Sequence, residues 1–228
     1  MINVQEITKS FGSKQVLNCR SMDFRHELVH GIIGLNGAGK TTFFNILSGF
    51  LAPNSGVVLN NDKALRREDV AYLESENFFY SYLTGEEYLS IFPRTNRDFN
   101  VERMNDLIKL PLRELTETYS SGMRKKLALL AILRQDKPIY LLDEPFNGLD
   151  LGTNQVLRLI IQRLVRKGKT IFMSSHILAP LTDLCNEIHL LHNGVFTKTY
   201  EAASFGTIET DLFAGFDKTI TQILDSSL

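Results

Sequence analysis

Apolar and polar positions alternate through residues 1–30. Ile2, Val4 and Ile7 come first, then Val16-Leu17, then Met22 and Phe24, with Gly12-Ser13-Lys14 between. A period of two broken by turn residues predicts short strands, paired antiparallel. Gly31-Ile32-Ile33-Gly34-Leu35 reads as the end of an apolar strand, and the glycine-rich stretch Asn36-Gly37-Ala38-Gly39 follows it. A helical pattern comes next, with Phe43, Phe44, Ile46 and Leu47 on one side. Gly49 and then Pro53 predict its end. Val57-Val58-Leu59 and Val70-Ala71-Tyr72-Leu73 read as strands.

From about residue 84 to 118 the pattern becomes polar and helical, with Tyr88, Leu89, Ile91 and Phe92, then Val101, Met104, Leu107 and Ile108. Pro93, Asn96 and Pro111 interrupt it, so a small helical insertion is predicted. A long helix is predicted from Ser120 to about Arg134. Ile139-Tyr140-Leu141-Leu142 is a continuous apolar run of the kind found in buried parallel strands. Val156, Leu157, Leu159, Ile160, Leu164 and Val165 mark another helix face, and Thr170-Ile171-Phe172-Met173 another strand. His192-Asn193-Gly194, between Ile188-His189-Leu190-Leu191 and Val195-Phe196, signals a hairpin. Strands alternating with helices around a glycine-rich turn predict an α/β fold with a mainly parallel sheet. The tail from about Ser204 is weakly patterned; Phe213, Phe216, Ile220, Ile223 and Leu224 allow a terminal helix there.

Length and charge narrow the functional classes. At about 150 residues per domain, 228 residues predict one large domain or one with an inserted subdomain. The 25 basic and 26 acidic residues nearly cancel, which argues against a dedicated nucleic-acid partner. An apolar share of 43% with 22% charged residues excludes disorder. The longest clearly apolar run, 127–133, is far short of the about 20 residues of a membrane span. The start at Met1 shows no basic n-region and no apolar h-region, so no secretory signal is expected. Cys19 and Cys185 stand in no metal-like spacing and are read as core fillers of a reduced chain.

The chemistry concentrates in two stretches. Gly34-Leu35-Asn36-Gly37-Ala38-Gly39-Lys40-Thr41 fits G-x-x-x-x-G-K-[ST] at every fixed position, with a strand before it and a helix after. Glycines allow a tight turn that brings backbone N–H groups to phosphate oxygens, and the helix start adds its positive dipole end. Lys40 is expected to reach the β- and γ-phosphates and Thr41 to ligate Mg²⁺. The second stretch is Ile139-Tyr140-Leu141-Leu142-Asp143-Glu144-Pro145. It places two carboxylates at the carboxyl end of a strand, where open α/β sheets bind ligands. Asp143 is expected to hold Mg²⁺ through water, and Glu144 to orient and activate the attacking water.

These residues resemble the nucleotide-binding domain of ATP-binding cassette (ABC) transporters, over about residues 1–200. The most specific element is Tyr119-Ser120-Ser121-Gly122-Met123, in the place of the family's L-S-G-G-Q signature and similar to the form in certain exporters. The resemblance implies a P-loop NTPase fold with a mainly parallel core sheet, an N-terminal antiparallel β subdomain and a small inserted helical subdomain. It implies ATP and Mg²⁺ as ligands, held at Asn36, Gly37, Ala38, Gly39, Lys40, Thr41 and Thr42. Ser120 and Gly122 would close onto the γ-phosphate of ATP held by a second subunit. Asp150, in Asn147-Gly148-Leu149-Asp150, would contact that subunit. His176, after Ser174-Ser175, would be the switch histidine at the γ-phosphate, and Phe11 the aromatic that stacks on adenine. One position departs from the family. Where a Gln normally follows the strand at 70–73, this chain reads Leu73-Glu74-Ser75-Glu76-Asn77, and Ser75 aligns with the Gln. Ser is shorter and cannot reach as far, so either a water bridges it to the metal or Glu74 or Glu76 substitutes, and hydrolysis is expected to survive but to be slower or coupled differently.

The charged run Arg124-Lys125-Lys126 reads as a solvated helix face. The aromatic cluster Phe78, Phe79, Tyr80 and Tyr82 lies where the family docks a membrane subunit, although core packing explains it equally well. Taken together, the reading is one nucleotide-binding domain over 1–228, with its helical part at about 76–134 and a tail at about 204–228. It is an ATP hydrolase on the cytoplasmic face of a membrane, forming a homodimer that powers export by a separate transmembrane permease subunit, with no nucleic-acid partner. Two alternatives stay open: a degenerate subunit that binds ATP without hydrolysing it, and a non-transport ABC ATPase.

Overall fold

The structure is a computed structural model that describes residues 1–95 and 99–213. The N-terminal alternation forms strands β1 (Ile2–Phe11), β2 (Lys14–Asn18) and β3 (Met22–Phe24). Strand β4 (Val29–Ile33) is buried along its whole length and leads into the glycine-rich turn and helix α1 (Lys40–Leu47). Then come β5 (Ser55–Asn60), the two-residue β6 (Lys63–Ala64) and β7 (Val70–Leu73). The inserted segment holds α2 (Gly85–Ile91) and α3 (Val101–Ile108). Next are α4 (Ser121–Arg134), β8 (Ile139–Asp143), α5 (Leu151–Arg166), β9 (Thr170–Ser175) and α6 (Leu178–Leu184). The chain closes with the hairpin β10 (Glu187–His192) and β11 (Val195–Glu201), and α7 (Ile208–Phe213). The predicted terminal helix beyond Phe213, with Phe216, Ile220, Ile223 and Leu224, lies outside the described residues, as does Asn96.

Two sheets are found among the described residues. In one, β2, β1, β5 and β6 pair in that order, with β3 also on β1, all antiparallel. The other runs β11-β10-β4-β9-β8-β7 and is parallel except for the β10–β11 hairpin. Asn193 and Gly194 turn that hairpin with φ of 45° and 77°, the positive pair a tight hairpin turn needs. This is the mainly parallel α/β architecture with an antiparallel N-terminal part that the pattern implied.

Two apolar layers hold the sheets. One packs Phe43, Phe44 and Leu47 of α1 between Ile2 and Val4 of the antiparallel sheet and Leu141 and Phe172 of the parallel one. The other covers the opposite face of the parallel sheet with α4 and α5. The run 127–133 is buried residue by residue, so α4 has no solvent face there. At about 25 cal/mol per Å² of apolar surface, this is where most of the stabilisation arises. Cys19 and Cys185 are both free and buried; burial pushes the Cys19 thiol up to about 12, so it is an inert core group. No described helix is long and apolar enough to cross a membrane.

Candidate active site

A cleft of about 600 Å³ opens at the carboxyl ends of β4 and β8. Asn36, Gly37, Ala38, Gly39, Lys40, Thr41 and Thr42 all line it. Gly39 has φ 107°, and a Cβ there would lie 2.8 Å from Leu17 Cδ2, so only glycine lets the turn close. Helices α2, α3, α4 and α5 are each capped by a side chain, from Thr84, Asn100, Ser120 and Asp150. α1 has no side-chain cap and no acidic residue in its first turn. Its first N–H groups are therefore left for a ligand, and their partial positive charge selects an anion.

The charged groups meet across this turn. Lys40 is buried and donates to the carbonyl oxygens of Gly34 and Leu35 at 2.8 and 3.3 Å. Its ammonium lies 4.0 Å from Glu144 Oε1. Burial lowers its pKa, and Glu144 and Asp143 pull it back up. The Thr41 hydroxyl donates to Asp143 Oδ2 at 2.7 Å. Adjacent ligands on an octahedral Mg²⁺ with bonds of about 2.1 Å lie about 2.9 Å apart, so this hydroxyl and carboxylate fit the ion by both separation and chemistry. Glu144 turns the chain just past β8 with φ 48°. His176 Nδ1 stands 2.9 Å from Glu144 Oε1, and Asn147 Nδ2 donates to Oε2 at 3.4 Å. Phosphate loop, Asp143, Glu144 and His176 thus form one continuous polar wall.

The comparisons with known proteins follow that geometry. Residues 17–147 match the ABC transporter family. The chain belongs to this family. It is an ABC transporter ATP-binding subunit and an ATP hydrolase. Over 206 residues it is 31% identical to the uncharacterized ABC transporter ATP-binding protein YdbJ of Bacillus subtilis, covering 85% of this chain and 67% of that one. The solved ATP-binding subunit of an ABC transporter superposes with a TM-score of 0.81 at 24% identity, covering 98% of this chain and 99% of that one. The dimeric post-hydrolysis cassette MJ0796, bound to ADP and Pi, superposes at 0.76 and 19% identity, covering 89% of this chain and 99% of that one.

The remaining predicted residues of the cassette lie apart from its nucleotide cleft or at its edge. Ser75 lines the cleft, with Asn193, which the sequence had not singled out. Glu74 sits instead in a neighbouring groove, its pKa raised by burial and then by Asp143. Phe11 is half-exposed at the end of β1, paired with Lys14 on β2; Lys14 lines the cleft and Phe11 does not. Ser120 and Gly122 do not line the cleft either. Ser120 caps α4, accepting the Met123 N–H at 3.3 Å, and its hydroxyl proton stays available to donate. Gly122 has a packing duty inside the chain: a Cβ there would lie 2.5 Å from the carbonyl oxygen of Gly148. Asp150 caps α5 through Thr153 and pairs with Lys126 at 2.8 Å.

The reading of Arg124-Lys125-Lys126 as a solvated face is corrected. Lys125 is buried and donates to the carbonyl oxygens of Glu144 and Asn147 at 2.8 and 3.1 Å. The Lys126 side chain is only 15% exposed, and Arg124 lies over the Phe79 ring. The run bends inward because α4 packs against the loop 144–150, whose carbonyls need donors. Sequence reasoning also missed Ser174. Its hydroxyl donates to Asp143 Oδ1 and accepts the Glu144 N–H at 3.0 Å, tying both carboxylate-bearing residues to β9. The aromatic cluster divides: Phe78, Tyr80 and Tyr82 are exposed, while Phe79 packs on Tyr88 with ring centroids 4.6 Å apart.

Proposed function

We propose that two copies of this chain enclose two ATP molecules and power export by a separate transmembrane subunit, working from the cytoplasmic face of the membrane. The chain acts as one cassette over 1–228, with its helical part at about 76–134 and its tail at about 204–228. The observation that carries the reading is that the phosphate cradle, Asp143 and Glu144 line one cleft and His176 is tied to it only through Glu144 Oε1, while Ser120 and Gly122 stand outside its lining. A site lacking its signature residues needs them from a second copy.

In this reading, Asn36, Gly37, Ala38, Gly39 and Thr42 give the triphosphate backbone and side-chain donors, and Lys40 binds its terminal oxygens. Thr41 and Asp143 hold Mg²⁺, which neutralises charge developing on those oxygens. Glu144 orients water for in-line attack. His176 fixes the Glu144 carboxylate and faces the γ-phosphate. Phe11 stacks on adenine. Ser120 and Gly122 of the second copy close over the γ-phosphate, and Asp150 lies at the junction between copies. A groove of about 850 Å³ beside the cleft supports the membrane partner: Phe50, Phe78, Tyr80, Arg66 and Arg67 line it, and an amphipathic segment fits such a surface.

Glu144→Gln tests the reading. It keeps the shape and removes the charged oxygen, so ATP still binds while turnover falls by on the order of 10²–10³. Light scattering then shows a mass that doubles with ATP. Wild-type turnover in the mutant refutes the role of Glu144. A wild-type chain that binds ATP without hydrolysing it favours the regulatory alternative.

A further inference from the structure

At the end of β4 remote from the phosphate loop, three side chains turn their ligating atoms toward one point. His30 on β4 pairs opposite Glu187 on the parallel neighbour β10, and His189 follows two residues along. His30 Nδ1 lies 3.3 Å from His189 Nε2 and 3.2 Å from Glu187 Oε2. His189 Nε2 lies 3.9 Å from the same carboxylate oxygen. Both histidines are fully buried and Glu187 nearly so. Three donors on a tetrahedral zinc, with bonds of about 2.0–2.2 Å, stand about 3.3–3.6 Å apart.

A single proton cannot engage all three lone pairs that converge here. His30 Nε2 lies 2.8 Å from the Arg25 carbonyl oxygen, which only accepts, so Nε2 carries the hydrogen. In the neutral ring, Nδ1 is then a bare lone pair facing a carboxylate oxygen at 3.2 Å. A hydrogen on His189 Nε2 would satisfy His30 Nδ1 and still leave that lone pair against the carboxylate. A proton on His30 Nδ1 would bridge it to that carboxylate but would leave the His189 Nε2 and Glu187 Oε2 lone pairs converging on the same point, 3.9 Å apart. A divalent cation accepts all three lone pairs at once.

The surroundings match those of a metal site. Each ligand is steadied from behind: His30 by the Arg25 carbonyl, His189 Nδ1 by Thr199 Oγ1 at 2.9 Å, and Glu187 Oε1 by the Arg25 guanidinium. Such outer contacts set ring orientation and tautomer. Phe24 packs edge-on against both imidazoles, with centroids 5.3 and 4.9 Å away, and Phe172 stacks on His30. Two imidazoles and one carboxylate suit zinc and its first-row neighbours, whereas Mg²⁺ and Ca²⁺ prefer all-oxygen sets. We propose that His30, Glu187 and His189 form a structural site for a divalent transition-metal ion, zinc in the first place, that clamps β4 to β10. A fourth position is left to an exogenous donor.

The test uses the untagged full chain, stripped with a chelator and titrated with zinc in excess Mg²⁺. One zinc per chain at micromolar metal, with a rise in melting temperature, is expected. Cobalt(II) in its place should give the visible absorption bands of a four- or five-coordinate ion. Glu187→Gln and His189→Phe should each weaken uptake at least about tenfold and abolish the cobalt bands. Glu187→Gln keeps the residue's size, and ATP binding at the distant cleft reports whether each variant is folded. No uptake by the wild type, or equal uptake by the wild type and folded variants, overturns the proposal.

Discussion

Lys125→Met probes the loop that carries Glu144 without touching the nucleotide cleft. The ammonium is buried and bonds two carbonyls at 2.8 and 3.1 Å, Glu144 O and Asn147 O. Each hydrogen bond to a charged group contributes about 1.5–3 kcal/mol. Against this stands the desolvation of Lys125, which lowers its pKa despite Glu144 and Asp143 nearby. Met fills the same volume and needs no hydration, so the net loss should be about 2 kcal/mol, or about 4–8 °C in melting temperature for a chain of this size. The effect on turnover follows a different path. Glu144 sits in a positive-φ turn at the strand end, and Lys125 holds its carbonyl from below. Freeing that carbonyl lets the carboxylate drift, and a misplacement of about 1 Å costs up to 10²-fold. The expected result is kcat down by about tenfold or more with KM for ATP changed less than about twofold, because the phosphate cradle is untouched. Steady-state ATPase kinetics with a parallel thermal melt measure both. A mutant that melts early yet keeps wild-type kcat refutes the positioning role, and one that changes only KM refutes the separation of loop from cradle.

Ser75 lines the cleft, and the resemblance aligns it with the family's Gln, so Ser75→Gln should restore reach to the metal and raise ATPase turnover on the order of tenfold; an unchanged rate would sink that account. Asp150 is held below its ordinary pKa, first by the hydrogen bond from Lys126 and then by those from Thr153. A depressed carboxylate stabilises the fold above its unfolded pKa and loses that contribution as pH falls through the folded one. The melting-temperature penalty of Asp150→Ala should therefore hold steady at neutral and mildly acidic pH and shrink only below the ordinary value of 3.8. Thermal melts of both proteins across that range decide it: a penalty that fades well above 3.8 removes the charged cap from the explanation.

What could be read from the sequence was what lay contiguous along it. Phosphate loop, carboxylate strand and signature each occupy a few consecutive residues; spacing and context identified the first two, and the resemblance to the family the third. The long strands declared themselves by buried runs such as Ile139-Tyr140-Leu141-Leu142. Helix α6 escaped notice because it is short and holds Pro180 in its first turn, where a missing N–H costs little. Contacts that cross between elements were illegible for a different reason. Ser174 reaches Asp143 only because β8 and β9 pair in the register that sets those two residues opposite each other. Lys125 looked like part of a solvated run until the 144–148 loop was known to cover that face of α4. Gly122 and Lys125 are three apart and so share the face, but nothing in the run names its neighbour. His30, Glu187 and His189 gave a partial signal, since a polar group inside an otherwise apolar strand is costly without a partner. The cost could be anticipated strand by strand; the partner could not, because it stands across a parallel pairing that only the folded sheet creates. The same logic bears on the proposed pairing of two copies. Ser120 and Gly122 stand outside the cleft that the phosphate loop lines, so a pairing that completed the chemistry would lie between copies, one level above anything local sequence can encode.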